Sequence, residues 1–208
     1  MTPSATDLLL VVDVQVDFLP GGALAVPDGD AVVGPINALQ RRFAQVALTQ
    51  DWHPPGHVSF ASSHAGRAPF ESVRLADSEQ VLWPEHCVQD TPGAAFAPDL
   101  DTTHAGFVVR KGLTPGVDCY SAFLEADRAR HTGLAEALAL RGIRRVVLCG
   151  LATDFCVLWS ALDGRAMGLD VLVVEDAVRG IDADWSLAAA WARMEAAGVG
   201  RIRADAIG

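Results

Sequence analysis

Cys156 sits in the stretch RVVLCGLATDFCVLWSALDGRAMG, residues 145–168, where a β-branched apolar run gives way to a helix. Val146 to Leu148 reads as a buried parallel strand ended by Gly150, and Thr153 or Asp154 offers a side-chain oxygen to cap the helix. A thiol in the first helical turn faces unpaired backbone N–H groups and the positive end of the helix dipole, which predicts a pKa below the usual ~8.5. A lone cysteine at such a place is also a good small hydrophobe for a core. The other polar residues decide between the two. Asp13 ends an apolar run from Leu8 to Val12, Asp51 and His53 follow a run from Gln45 to Thr49, and Lys111 ends a run from Gly106 to Arg110. In an open parallel sheet the C-terminal strand ends share one edge, where ligands bind at the topological switch point. Reactive groups on separate strand exits therefore converge on one cleft.

A thiolate nucleophile needs a cation beside it and a group that moves a proton to its leaving group. Lys111 supplies the charge and Asp13 the proton transfer if both reach Cys156. Backbone N–H groups near Cys156, its own included, supply an oxyanion hole. Taken singly, Asp13 is more often a turn cap and a lysine a solvated side chain; their joint place at strand exits reverses that weighting. Lys111 is also the only lysine among 16 basic residues, as expected where an ammonium is required, although codon bias gives the same count.

His53, His57, His64 and His86 fall in or beside one loop region, out of 6 histidines. In an extended Asp51-x-His53 both side chains point the same way. With His86 they form a carboxylate and two-imidazole set suited to zinc, iron or manganese, with water in the open positions. His57 offers a fourth ligand. Surface histidines are the commoner reading of such spacing taken alone.

The elements that must position these groups alternate. A helix is expected from Asp30 to Phe43, with Pro35 near its first turn. The segment from Pro54 to Thr103 is rich in Pro, Gly, Ser and His and reads as a loop insertion, around 52–105, of the kind that is usually functional. After the Lys111 strand come a helix from Gly133 to Leu140, the Cys156 strand with its helix from Asp154 to Met167, and a strand from Val171 to Val174. A helix capped by Asp182 or Asp184 runs to Ala197, and Ile202 belongs to a short last strand. This predicts one α/β domain over residues 1–208, three-layer α/β/α, with a mainly parallel six-stranded sheet.

Half the residues are apolar, ample for one core. A net charge of −10, with acids and arginines interspersed, disfavours nucleic acid and anionic membranes as partners. Cys87, Cys119, Cys149 and Cys156 form no CxxC pair or zinc-finger spacing. The opening MTPSATD has no basic region or apolar signal core, and no apolar run approaches bilayer length, which predicts a cytoplasmic protein. Trp185 or Trp191, if exposed, would mark a homo-oligomer interface, though tryptophans at helical spacing are more often core. No GxGxxG follows the first strand, which argues against a dinucleotide-dependent oxidoreductase.

Six stretches, in order, resemble the isochorismatase-like cysteine hydrolases, and among them the nicotinamidases (pyrazinamidases). They are VVDVQVDF at 11–18, TQDWHPPGHVSF at 49–60, WPEHCVQDTPGA at 83–94, VVRKG at 108–112, YSAF at 120–123 and GLATDFCV at 150–157. The resemblance implies Cys156 as nucleophile, Asp13 as acid/base and Lys111 as third member of a triad. It implies Asp51, His53 and His86 as ligands of one divalent ion, zinc before iron or manganese, with His57 in the place of an extra ligand found in some relatives. It further implies a non-proline cis peptide at Ala152–Thr153 that aims the Ala152 and Cys156 amides at the oxyanion. Phe18, Trp83 and Tyr120 match positions lining a pyridine pocket, and Phe155 is a variable position that tunes it. Asp90 stands where a glycine is common, which bears on the loop near His86. The implied reaction converts nicotinamide, a small-molecule substrate, to nicotinate and ammonia through a thioester, and acts on pyrazinamide too. A hydrolase of another carboxamide or ureide, or a non-catalytic metal-binding relative, is the alternative.

Overall fold

The computed structural model describes residues 1–75 and 79–208. In chain order the elements are β1 (Asp7–Val12), α1 (Val33–Gln40), β2 (Gln45–Asp51), β3 (Ser72–Arg74), β4 (Glu79–Val81), β5 (Phe107–Lys111) and α2 (Leu134–Leu140). There follow β6 (Arg145–Leu151), α3 (Leu158–Ala166), β7 (Asp170–Arg179), α4 (Ser186–Ala196) and β8 (Gly200–Ile202). Six strands form one sheet in the order β5-β2-β1-β6-β7-β8, with every pairing parallel. β1, DLLLVV, is buried at all of its positions, as a central strand covered on both faces must be. Its alternate side chains serve two cores: Leu9 and Val11 pack with Ile36 and Leu39 of α1, while Leu8, Leu10 and Val12 pack with Leu134 of α2 and Leu158 and Ala161 of α3. Each such fully buried aliphatic side chain contributes roughly 1.5–3 kcal/mol.

The chain builds outward from β1 to β2 and β5 on one side, then returns to place β6, β7 and β8 on the other. The switch point is the crevice between the C-terminal ends of β1 and β6. No helix among the described residues is long and apolar enough to cross a membrane.

Several boundaries differ from the sequence expectation for local reasons. The first helix is shorter: a 3-10 turn, Gly29–Val32, leads into α1, because Pro35 has no N–H to give the Ala31 carbonyl. β7 runs on to Arg179 past Glu175 and Asp176, which break the apolar pattern but find arginine partners, Arg201 and Arg203 for the first and Arg203 for the second. The insertion holds an antiparallel pair, β3 with β4, too short and too exposed to leave a periodic signature. Gly150 does not end its strand; β6 continues to Leu151, and Gly150 at φ 111° is required because a Cβ there would lie 2.1 Å from the Val12 carbonyl oxygen. Trp185 is exposed, while Trp191 is half-buried beneath Arg201.

Candidate active site

Asp13 is the first residue past β1 and turns the chain with a left-handed φ of 47°, a conformation aspartate tolerates better than most residues. Its N–H donates to Thr49 Oγ1 at 3.1 Å, and the Thr49 hydroxyl donates to Asp13 Oδ1 at 2.6 Å. Asp51 ends β2 and is fixed by Gln15: the Asp51 N–H donates to Gln15 Oε1 at 2.8 Å, and Gln15 Nε2 donates to the Asp51 carbonyl at 2.8 Å. Lys111 ends β5. Gly112 must follow it, since a Cβ at that residue would lie 2.4 Å from the His53 ring.

Lys111 Nζ lies 2.9 Å from Asp13 Oδ2, 2.6 Å from Asp51 Oδ1, 3.0 Å from the Cys119 carbonyl and 3.3 Å from Cys156 Sγ. Burial alone would strip this ammonium of its proton, but Asp13 and Asp51 override it and raise the pKa, so it stays charged. Burial raises Asp13 against the pull of Lys111, whereas Asp51, pressed by Lys111 and His53, is held well below the usual carboxylate range despite its burial. Asp13 Oδ2 is paired with Lys111 Nζ alone, and an Asp13 oxygen lies within 4.8 Å of Cys156 Sγ. The cluster therefore holds a thiol, a carboxylate and a fixed positive charge together.

Cys156 departs from expectation in two respects. Residues Thr153–Val157 form a π-helical turn before α3, with no side-chain cap, so neither Thr153 nor Asp154 caps it. The Asp154 carboxylate is drawn away to accept from the Ile181 and Asp182 amides at 3.0 and 2.8 Å and from the Ser186 hydroxyl at 2.5 Å. Burial pushes the Cys156 thiol up, Lys111 pulls it down, and Asp13 and Asp51 push it up again; the outcome is raised, not lowered. Cys156 rests as a thiol and ionises only when a base takes its proton. The cis peptide lies at Leu151–Ala152, one residue earlier than expected; β6 pairs with β7 through Leu151, and the chain turns as it leaves the ladder.

Beside Lys111, His53 Nε2 and His86 Nε2 lie 3.6 and 4.0 Å from Asp51 Oδ2. His53 Nδ1 is 3.1 Å from the Gly112 carbonyl and His86 Nδ1 is 2.8 Å from the Pro84 carbonyl. Each Nδ1 is placed to donate outward to a carbonyl, which leaves Nε2 facing the Asp51 carboxylate, the orientation metal-binding histidines need. Burial lowers His86 to about 4, which keeps it neutral; His53 is also desolvated, but Asp51 raises it. These three residues fit a divalent cation. His57 stands apart, stacked on His53 with ring centroids 4.3 Å apart, and both its nitrogens have other partners, Ser59 Oγ at 2.8 Å and the Val117 carbonyl at 3.1 Å. Asp90, at φ 61°, adopts the left-handed conformation a glycine takes readily.

Both clusters meet a cavity of about 20 Å³ walled by Phe18, Trp83, Tyr120 and Phe155, with Ala152, Cys156, Asp51, His53 and His86 on its surface. A family model described as an isochorismatase domain matches residues 7–206. The chain belongs to the isochorismatase family. A nicotinamidase of Acinetobacter baylyi is 50% identical to it over 194 residues, 93% of this chain and 91% of that one. A solved nicotinamidase/pyrazinamidase of Acinetobacter baumanii superposes with a TM-score of 0.97 at 49% identity, covering 98% of each chain. The pyrazinamidase of Pyrococcus horikoshii, solved in complex with zinc, gives a TM-score of 0.78 at 36% identity over 95% of this chain and 99% of that one.

Within this family member, sequence reasoning missed Thr49 and Gln15, which hold Asp13 and Asp51, and Asp118, Leu24 and Ile181, which also line the cavity. Gln15 lies inside one of the matching stretches, but nothing local marks it as a brace for another strand. Of the four cysteines, Cys156 alone lines the cavity; Cys87, Cys119 and Cys149 are buried in packed surroundings, and burial raises Cys119 to about 12. Iodoacetamide at pH 8 should therefore alkylate Cys156 first, with peptide mapping as the readout. Earlier labelling of Cys119 would mean that its thiol, not that of Cys156, faces the entrance.

Proposed function

We propose that this chain is a metal-dependent cysteine amidohydrolase that converts nicotinamide to nicotinate and ammonia through a thioester, and hydrolyses pyrazinamide likewise. One observation carries the reading. Cys156 Sγ, the Asp13 carboxylate and the Lys111 ammonium meet beside a cation-fitting Asp51/His53/His86 set, at one aromatic-walled cavity. The relatives' names supply the substrate.

Asp13 takes the Cys156 proton as the sulfur attacks the carboxamide carbon, and its raised pKa suits it to hold that proton. The Ala152 and Cys156 backbone N–H groups receive the oxyanion, and Lys111 balances the charge that develops around the sulfur. Asp13 passes the proton to the departing ammonia as the C–N bond breaks, leaving a thioester. It then takes a proton from the water that cleaves the C–S bond, and returns it to the sulfur as nicotinate leaves. Asp51, His53 and His86 hold the divalent ion, zinc by the chemistry of the donor set and the zinc complex of the Pyrococcus relative. When bound, the ion supplies a positive site that orients the pyridine ring. Phe18, Trp83 and Tyr120 sandwich the ring and exclude water.

Ammonia release from nicotinamide by the purified protein tests this. Turnover should disappear on chelation and return on adding zinc, with one equivalent of metal per active chain by elemental analysis. Full turnover in the stripped protein, or no turnover with the metal site filled, would overturn the reading.

A further inference from the structure

The reaction cavity is tight, though it opens to solvent. Its volume of about 20 Å³ admits one or two waters, so an aromatic amide is seated only if a wall yields. Two of its walls, Tyr120 and Phe155, have a second side. They also line an outer groove of about 290 Å³, floored by Leu158 and Trp159 of α3 and flanked by Ala189 of α4. The two walls are held differently. The Tyr120 hydroxyl accepts a hydrogen bond from Trp83 Nε1 at 2.9 Å and lies 3.5 Å from Gln80 Nε2, which pins the phenol. Phe155 is half-buried and held through ring contacts, edge-on to Trp83 with centroids 4.8 Å apart and tilted against Tyr120 at 5.6 Å. No polar anchor keeps it in place.

We propose that the Phe155 ring is the specificity wall of the site, separating the carboxamide cavity from a groove that takes an apolar or aromatic ring substituent once the wall is shortened. This rests on the nicotinamide reading above. The groove's lining sets the ligand class: the Trp159 ring offers a flat face, Ala189 leaves width beside it, and the Arg193 guanidinium, 4.8 Å from the Trp159 ring centroid, closes the end. A pyridine-3-carboxamide bearing an alkyl or phenyl group on the edge away from the carboxamide would place that group there.

The test is kcat/KM on nicotinamide and on 5- and 6-substituted alkyl and phenyl nicotinamides, for wild type, Phe155→Ala, Phe155→Leu, Ala189→Trp and the Phe155→Ala/Ala189→Trp pair. For at least one substituted amide, the ratio to nicotinamide should rise on the order of 10–100-fold in Phe155→Ala. It should rise less in Phe155→Leu, which also reads the effect if the alanine variant does not fold. Ala189→Trp fills the groove from outside, so it should leave wild-type nicotinamide turnover unchanged and cancel the gain in the pair. A purely structural role for Phe155 would depress every substrate together and leave the ratio flat. A flat ratio across the panel, or a gain that survives Ala189→Trp, overturns the inference while nicotinamide hydrolysis stands. Wild type inert on nicotinamide removes both readings.

Discussion

Cys156→Ala is expected to lower kcat for ammonia release from nicotinamide by ~10^4-fold or more, because losing the nucleophile of a covalent mechanism leaves only binding and the oxyanion donors. Bound metal should stay at the wild-type level, since the sulfur is outside the Asp51/His53/His86 set. The fold should stay intact as well: Lys111 Nζ keeps Asp13, Asp51 and the Cys119 carbonyl as partners after the sulfur is gone. A melting temperature within about 4 °C of wild type, from a cost near 1 kcal/mol, is the structural control. Cys156→Ser should be nearly as inactive. A serine hydroxyl is far less acidic than a thiol, so the same Asp13 carboxylate ionises it poorly. Wild-type ammonia release from the alanine variant would place the nucleophile elsewhere and leave the Lys111 cluster without a catalytic role.

The positions in this chemistry that were legible in the sequence are those whose meaning is local. β1, β2, β5 and β6 announce themselves as apolar runs, and the residue type at each exit (aspartate, aspartate, lysine, then a cysteine a few residues on) specifies the reactive group. What stayed hidden depends on partners far along the chain. Thr49 binds Asp13 and Gln15 braces Asp51 across 36 residues of sequence, so neither has a local signature. Asp154 has the composition of a helix cap, yet the loop after β7 offers it two amides and the start of α4 a hydroxyl, and the long-range bonds win. The acidity of the thiol is hidden for the same reason. A helix dipole acts over one turn and is readable from position, but burial and two neighbouring carboxylates outweigh it. His57 depends on distant partners too: Ser59 and Val117 engage its ring nitrogens, and it lies within ligand reach of His53 and Asp118 rather than of Asp51 and His86.

Lys111→Met should be the most damaging single change to the fold as well as to the reaction. The lysine is 1% exposed and is the cation between two buried carboxylates. Methionine matches the stem in length and removes only the charge and its hydrogen bonds. With the divalent ion in place Asp51 keeps a cation, so Asp13 is the carboxylate left stranded. Removing one partner of a buried ion pair costs roughly 3–5 kcal/mol, which for a chain of this size lowers the melting temperature by about 6–20 °C. The deficit should depend on pH with a definite sign. Asp13 has a folded-state pKa already above its ordinary value, and without Lys111, its main lowering influence, that pKa rises further. A raised carboxylate binds its proton more tightly in the folded state, so the variant is least impaired at low pH and loses stability as pH climbs through the folded pKa. Asp13→Asn in the Lys111→Met background removes the stranded charge and should recover most of the lost melting temperature. It cannot restore turnover, since the proton acceptor and the cation are then both absent. Thermal melts of the single and double variants between pH 5 and 8, alongside ammonia release, separate the two roles. A double variant no more stable than Lys111→Met would show that packing around the lysine stem, not the charge on Asp13, holds this part of the fold together.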